Sequence, residues 1–214
     1  MGPIPSLKPS ACATRALSLI LCTRNRADAL ARCLRRLPTS ALSAADGELI
    51  LVDNGSSDET PALLRRFADA AACPVSVVTE PREGLSRARN AGVREAAGRT
   101  LVFTDDDCYL GDGYVRTART VFGEANFSYC GGRILLHDPA DARYGLREQT
   151  AFERIPPFSF IPPGQFQGAN LVVHRRVFAN IGLFDPRLGV GTPFRCGDLD
   201  LVARASQAGF AGAH

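Results

Sequence analysis

Lysine is nearly missing from this 214-residue chain: Lys8 is the only one, and arginine carries almost all the positive charge. The formal net charge is only +3, too mild to argue for nucleic acid, so no nucleic-acid partner is expected. None of the seven cysteines pairs with another at C-x-x-C spacing. That argues against a zinc framework, and an odd, unpatterned count fits reduced thiols in a cytosolic protein. No apolar run approaches the ~20 residues of a membrane span. The opening stretch "MGPIPSLKPSACATRA" has prolines and no apolar signal-peptide core, so residues 1–15 are expected to form a flexible tail. A G-x-x-x-x-G-K-[ST] phosphate loop is missing too, and "GVG" at Gly189–Gly191 lacks the third glycine of a dinucleotide fingerprint. The sequons at Asn54 and Asn126 are chance matches if the chain is cytoplasmic or sits at the inner face of the cell membrane, the locations expected here.

What is present is an ordinary globular composition, 45% hydrophobic and 22% charged, long enough for one α/β domain over residues 16–214. "ALSLILCT" (Ala16–Thr23) is a continuous apolar run suited to a strand covered on both faces. In "RADALARCLRRL", Leu30, Cys33, Leu34 and Leu37 share one helical face and Arg32, Arg35 and Arg36 the other, with Pro38 closing the helix. Glu48–Val52 reads as a strand, followed by a helix with capping-box spacing at Ser56 and Glu59. Val75–Thr79 is a third strand, "GLSRARNAGVREAAG" a helix ending at Gly98, and "TLVFT" a fourth strand. This alternation predicts βαβ units and a mainly parallel sheet, whose ligands bind beyond the carboxyl ends of the strands. Beyond it, "YCGGRILLH" (Tyr129–His137) and "GANLVVH" (Gly168–His174) read as strands, with Pro-rich "RIPPFSFIPPGQ" as a long loop between them. "RRVFANIG" and "GDLDLVARASQAG" read as helices.

Three carboxylates, Asp105, Asp106 and Asp107, follow the fourth strand directly. Adjacent like charges repel, so they need cations or hydrogen-bond donors. A divalent ion carried by a diphosphate supplies both, because Mg²⁺ or Mn²⁺ takes one or two protein carboxylates and completes its shell with phosphate and water. A separated carboxylate, Asp198 in "RCGDLDLVAR", could then act as a base. The plain alternatives are a solvated turn or helix cap for the triplet and an ordinary first-turn aspartate for Asp198.

In order along the chain, "CTRNR", "VDNGSSD", "EGLSRARNAG", "FTDDDC", "GANLVVHRRVF", "IGLFD" and "GDLDLVARASQAG" closely resemble the family 2 glycosyltransferases of the GT-A fold. The resemblance runs from about Leu17 to Gly209. It implies an inverting transfer from a nucleotide-sugar donor to a saccharide or lipid-linked acceptor, in polysaccharide or glycolipid assembly, with Mg²⁺ or Mn²⁺ as cofactor. It implies that Thr23, Arg24, Asn25, Asp53 and Asn54 surround the nucleotide and that Arg89 lies near the base or diphosphate. Asp105 and Asp106 would face the ribose, and Asp105 and Asp107 form the D-x-D pair, with Asp107 on the metal. Gly168, Ala169 and Asn170 would lie beside the donor sugar and acceptor, and Asp198 would be the general base.

Two departures from the family pattern stand out. Gly197 replaces the glutamate that usually precedes the base, and the chain stops at His214, before the family's usual strand, histidine and C-terminal extension. His214 is the candidate stand-in for that histidine, and Asp200 is a rival base with a structural role expected instead. The other reading is therefore a non-catalytic or decayed nucleotide-sugar binder of the same fold. Haloacid dehalogenase phosphatases want Thr or Val where Tyr109 stands, and an EF-hand fails at Tyr109 and Arg116. His137 and His174 carry no functional expectation. Arg32, Arg35 and Arg36 read as solvated helix surface, or as a contact to anionic lipid headgroups in a peripheral membrane association if the acceptor is lipid-linked. Phe158, Phe160 and Phe166 would stack on an acceptor sugar or anchor the Pro-rich loop.

Overall fold

A computed structural model describes residues 14–124 and 127–214; the expected tail, apart from its last two residues, and Asn126 lie outside them. The elements run β1 (Arg15–Thr23), α1 (Ala27–Leu34), α2 (Thr39–Ala44), β2 (Gly47–Asp53), α3 (Thr60–Ala70), β3 (Val75–Thr79), α4 (Leu85–Glu95), β4 (Gly98–Asp105) and α5 (Tyr114–Glu124). They continue with β5 (Tyr129–Gly131), β6 (Arg154–Ile155), β7 (Leu171–His174), α6 (Arg175–Ile181), α7 (Gly197–Gln207) and β8 (Gly212–Ala213). One sheet holds the strands in the order β3-β2-β1-β4-β7-β5-β8-β6. The first four are mutually parallel, as predicted. β7 runs antiparallel to both β4 and β5.

The continuous apolar strands are explained by burial on both faces. Ile20 and Cys22 of β1 join a core with α4, α6 and α7, while Leu17, Leu19 and Leu21 join another with α1, α2, α3 and α5. Each fully buried aliphatic side chain stabilises the fold by roughly 1.5–3 kcal/mol. Two buried charges brace the strand starts. Glu48 accepts from Ser18 Oγ at 2.5 Å and Ala97 N at 2.5 Å. Arg175 donates to Gly98 O at 2.8 Å and Ala96 O at 2.5 Å. Burial pushes the Arg175 pKa down, with Glu48 opposing. Leaving such buried carbonyls unmet would cost about 1–3 kcal/mol each.

Several expectations are corrected. The strand predicted over Tyr129–His137 stops at Gly131, and Ile134 makes only an isolated bridge with Arg147. Gly168–Asn170 form a 3-10 turn ahead of β7 instead of its first residues. The first helix stops at Leu34, and the capping box is not used: α3 begins at Thr60, whose N–H is accepted by Asp58. The sequence reading missed α2 and α5 altogether. In the sequon at Asn54 the side chain is buried and hydrogen-bonded to Glu80 O and Arg82 O. All six cysteines among the described residues are free.

Candidate functional site

Because β1, β2 and β4 are parallel and in register, Thr23 lies beside Asp53 and Cys22 beside Asp105 at one rim of the sheet. The acids that follow β4 meet different surroundings. Asp106 is buried at 4% exposure, accepts from Thr23 Oγ1 at 2.6 Å and faces Arg26 Nη1 at 3.1 Å. Burial pushes its carboxyl up, Thr23 and Arg26 pull it back, and Asp107 and Asp105 add to the rise. The Asp107 side chain is 51% exposed and pairs with Arg26 Nη2 at 2.9 Å. Asp105, 36% exposed, pairs with the buried Arg89 at 3.3 Å. Arg26 therefore clips two adjacent carboxylates. Burial works against its charge, but Asp106 and Asp107 outweigh that and hold its pKa above the ordinary value. The sequence reading passed over Arg26; its place three residues after the first strand, within "CTRNR", is the available signal.

A cleft of about 290 Å³ opens here, close to the lower end for small-molecule sites. Thr23, Arg24, Asn54 and the three acids line it. Glu83, Gly84, Val190 and Gly191, none of them foreseen, complete its wall. Arg24 bridges Asn54 O at 3.0 Å and Glu83 at 3.2 Å across the rim. Asn54 staples the floor, donating to Glu80 O and Arg82 O and accepting from Gly84 N. Asp53 is buried and accepts from Ser56 N at 2.9 Å, and Asn25 accepts from Ser57 N at 2.7 Å. Both thus shape the "NGSSD" loop, and neither lines the cleft.

Arg89, Gly168, Asn170 and Asp198 also stand outside that cleft, yet three of them are joined to it by contact. Gly168 packs so tightly on Arg89 that an added Cβ would lie 2.1 Å from Nη2. Its N–H donates to Asp198 Oδ2 at 2.8 Å. A chain of contacts thus runs Asp105–Arg89–Gly168–Asp198 across segments far apart in sequence. Asp198 Oδ1 accepts from Leu199 N at 2.9 Å, which leaves the carboxylate oriented at the start of α7. The Asn170 amide is spent elsewhere: Tyr114 OH donates to it at 2.7 Å, and it donates to Arg133 O at 2.9 Å.

The rival base fares as expected. Asp200 is tied to Arg204 one turn on, at 2.8 Å, and Arg204 also holds Ile181 O and Leu183 O. Gly197 has a packing reason: a Cβ there would lie 2.8 Å from Ser86 Oγ, which donates to Leu188 O. His214 packs against Phe166 at 5.7 Å between ring centroids and exchanges backbone hydrogen bonds with Glu153, lining no part of the cleft. His137 lies 2.8 Å from Arg36, and His174 caps α6. Phe166 is a buried anchor, whereas Phe158 and Phe160 are 68% and 81% exposed. Burial, reinforced by the acids, pushes the Cys33 and Cys108 thiols up to about 12. Neither is a thiolate nucleophile at neutral pH.

The family model described as Glycosyl transferase family 2 matches residues 18–182, a span that stops short of Asp198. Glycosyltransferase AglE of Haloferax volcanii is 25% identical over 194 residues, covering 91% of this chain and 62% of that protein. A PGL/p-HBAD biosynthesis glycosyltransferase of Mycobacterium tuberculosis is 33% identical over 171 residues, covering 78% of this chain and 60% of that protein. Among solved structures, the mannosyltransferase PcManGT of Pyrobaculum calidifontis, in complex with GDP-Man and Mn²⁺, superposes with a TM-score of 0.69 at 19% identity, over 99% of this chain and 57% of that one. S. aureus TarS 1–349 with UDP-GlcNAc gives 0.65 at 15% identity, over 92% and 55%. The match thus spans about three fifths of the length of these two curated relatives. With that model matching most of this chain, residues 18–182, and with the fold of these transferases, this chain belongs to glycosyl transferase family 2.

Proposed function

We propose that this glycosyltransferase moves a sugar from a nucleoside-diphosphate sugar to an acceptor hydroxyl with inversion of configuration. The observation that carries the reading is the contact chain from Asp105 through Arg89 and Gly168 to Asp198, which couples the acid-lined cleft to a separate carboxylate. Donor binding belongs to the cleft, with Thr23, Arg24 and Asn54 lining its nucleotide side and Asp53 and Asn25 holding the adjoining loop through Ser56 N and Ser57 N. No group of three or more potential ligands among the described residues forms a complete metal cage. Two partly exposed carboxylates, Asp105 and Asp107, still fit an ion that arrives on a diphosphate, since Mg²⁺ and Mn²⁺ complete their shells with phosphate and water. Those two residues would hold it, and the ion would supply charge neutralisation at the leaving group.

The chain's own groups do the rest. Arg89 and Arg26 present positive charge where the diphosphate departs. Asp198 takes the proton of the acceptor hydroxyl, its Oδ2 oriented by the Gly168 N–H. The acceptor oxygen forms its bond to the anomeric carbon as the bond to the diphosphate oxygen breaks on the opposite face, so one displacement inverts the centre. The acceptor class is a saccharide or a lipid-linked glycan, as the family resemblance implies. No helix among the described residues is long and apolar enough to cross a membrane.

The test is a thermal-shift screen of UDP-, GDP- and dTDP-sugars with and without Mn²⁺, because a ligand that binds only the folded state raises the melting point. Transfer assays on Asp107→Ala and Asp198→Asn then follow. Loss of donor binding in the first and loss of turnover alone in the second are the expected results. Donor binding without turnover in the unaltered chain would favour the non-catalytic binder that Gly197 suggests.

A further inference from the structure

A second and larger cavity, of about 1090 Å³, lies between α2 and α5, near the amino-terminal ends of β1 and β4. It shares no lining residue with the acid-lined cleft. Four arginines face it: Arg36 after α1, Arg99 at the start of β4, and Arg116 and Arg119 one turn apart on α5. All four are exposed, and none makes an ion pair among the described residues. The only carboxylate in the lining is Asp112. His174 adds no charge at neutral pH, since burial first, and then Arg176, Arg99 and Arg175, hold its pKa below the usual value.

The surplus of guanidinium over carboxylate in this one cavity equals the formal net charge of the entire chain, so the rest of the molecule balances. Like charges gathered in a concave wall focus a positive potential and cost repulsion until an anion arrives. Guanidinium forks match phosphate oxygens, and the volume far exceeds one inorganic ion. Arg36 is already set in place by the Tyr109 ring at 4.3 Å and by His137.

We propose that this cavity is a second anion site, which binds phosphate groups of either a soluble polyphosphate compound or an anionic lipid headgroup at a membrane surface. The site goes beyond the donor reaction and does not depend on it.

Two probes separate the sources: inorganic tripolyphosphate followed by calorimetry, and sedimentation with vesicles of phosphatidylcholine with or without phosphatidic acid. Each is run without metal on the unaltered chain, on Arg116→Ala/Arg119→Ala, and on Arg65→Ala/Arg66→Ala, which removes equal charge from exposed positions of α3. The α5 pair should weaken binding about tenfold, at roughly 1 kcal/mol or less per arginine, and the α3 pair should leave it nearly unchanged. An α5-dependent loss with tripolyphosphate identifies a soluble phosphate ligand, and one seen with acidic vesicles alone identifies a headgroup. No binding of either probe, binding indifferent to the α5 pair, or equal loss in both pairs overturns the proposal. Because all four substituted arginines are exposed, matching melting curves are expected. Arg116→Lys/Arg119→Lys keeps the charge and should retain most of the binding.

Discussion

The two cavities share the strands β1 and β4 but treat charge in opposite ways. At the carboxyl ends, the clustered acids are each met by a partner: Thr23 and Arg26 on Asp106, Arg26 on Asp107, Arg89 on Asp105. Near the amino ends, the arginines gather with no acidic partner among the described residues. A partnered cluster is preorganised, and its partners must yield or be shared when a ligand enters. An unpartnered one holds repulsion that solvent and salt screen in part and an anionic ligand relieves further. On the two proposed readings, the difference separates a site for chemistry from one for capture.

Asp198→Asn should break the comparison hardest. If the separate carboxylate is the base, turnover falls about 10³-fold while donor affinity stays level. An unchanged rate in a direct transfer assay would leave the acid-lined cleft without its catalytic partner. Gly168→Ala comes next. Its methyl group would collide with the Arg89 guanidinium, and a misplacement of that kind costs on the order of 10- to 100-fold in rate. A fully active Gly168→Ala would mean that the link from Arg89 to Asp198 carries nothing.

Arg26→Gln sharpens the contrast by removing the partner shared by Asp106 and Asp107. Because Arg26 and Asp107 are about half exposed, the pair is worth no more than about 1 kcal/mol. Mn²⁺ titrated into the variant should therefore bind about three- to fivefold more tightly, and weaker binding would show that Arg26 assists the ion instead of competing with it. Asp185→Asn is the smallest change and lies outside both cavities. Hydrogen bonds from Arg187 hold the Asp185 carboxyl at about 2, below its unfolded value near 4. Its contribution is present above pH ~4 and lost as pH falls toward 2. Since Arg187 is 86% exposed, chemical denaturation should register well under 1 kcal/mol at pH 7, vanishing near pH 2.

How far the sequence disclosed this follows from where the signals lie. β1 to β4 were legible because parallel strands covered on both faces leave unbroken apolar runs. α2 is short and rich in small residues, so its period is faint, and α5 shows Val115, Ala118 and Val121 on one face only once the acid loop ahead of it is recognised. β6 and β8 are two residues each, below the length at which alternation can register. The residue types at the acid-lined rim were readable from their position after strands. What they bond to was not: Asn170 looked like a ligand group but ties α5 to Arg133. The arginine cavity was invisible because its wall comes from separated segments that only folding brings together.

The reversed direction of β7 has an architectural consequence. Gly131 and Leu171 are register neighbours, although the chain between them returns to the far edge of the sheet as β6 and sends Ile155, Ile161 and Phe166 into the core. Only the stretch from 132 to 153, none of it buried, is an outgrowth hung between β5 and β6. Such a segment can be lengthened or shortened while the sheet beside it keeps its alignment, which, on the proposed function, gives this architecture a place to vary what receives the sugar without rebuilding what delivers it.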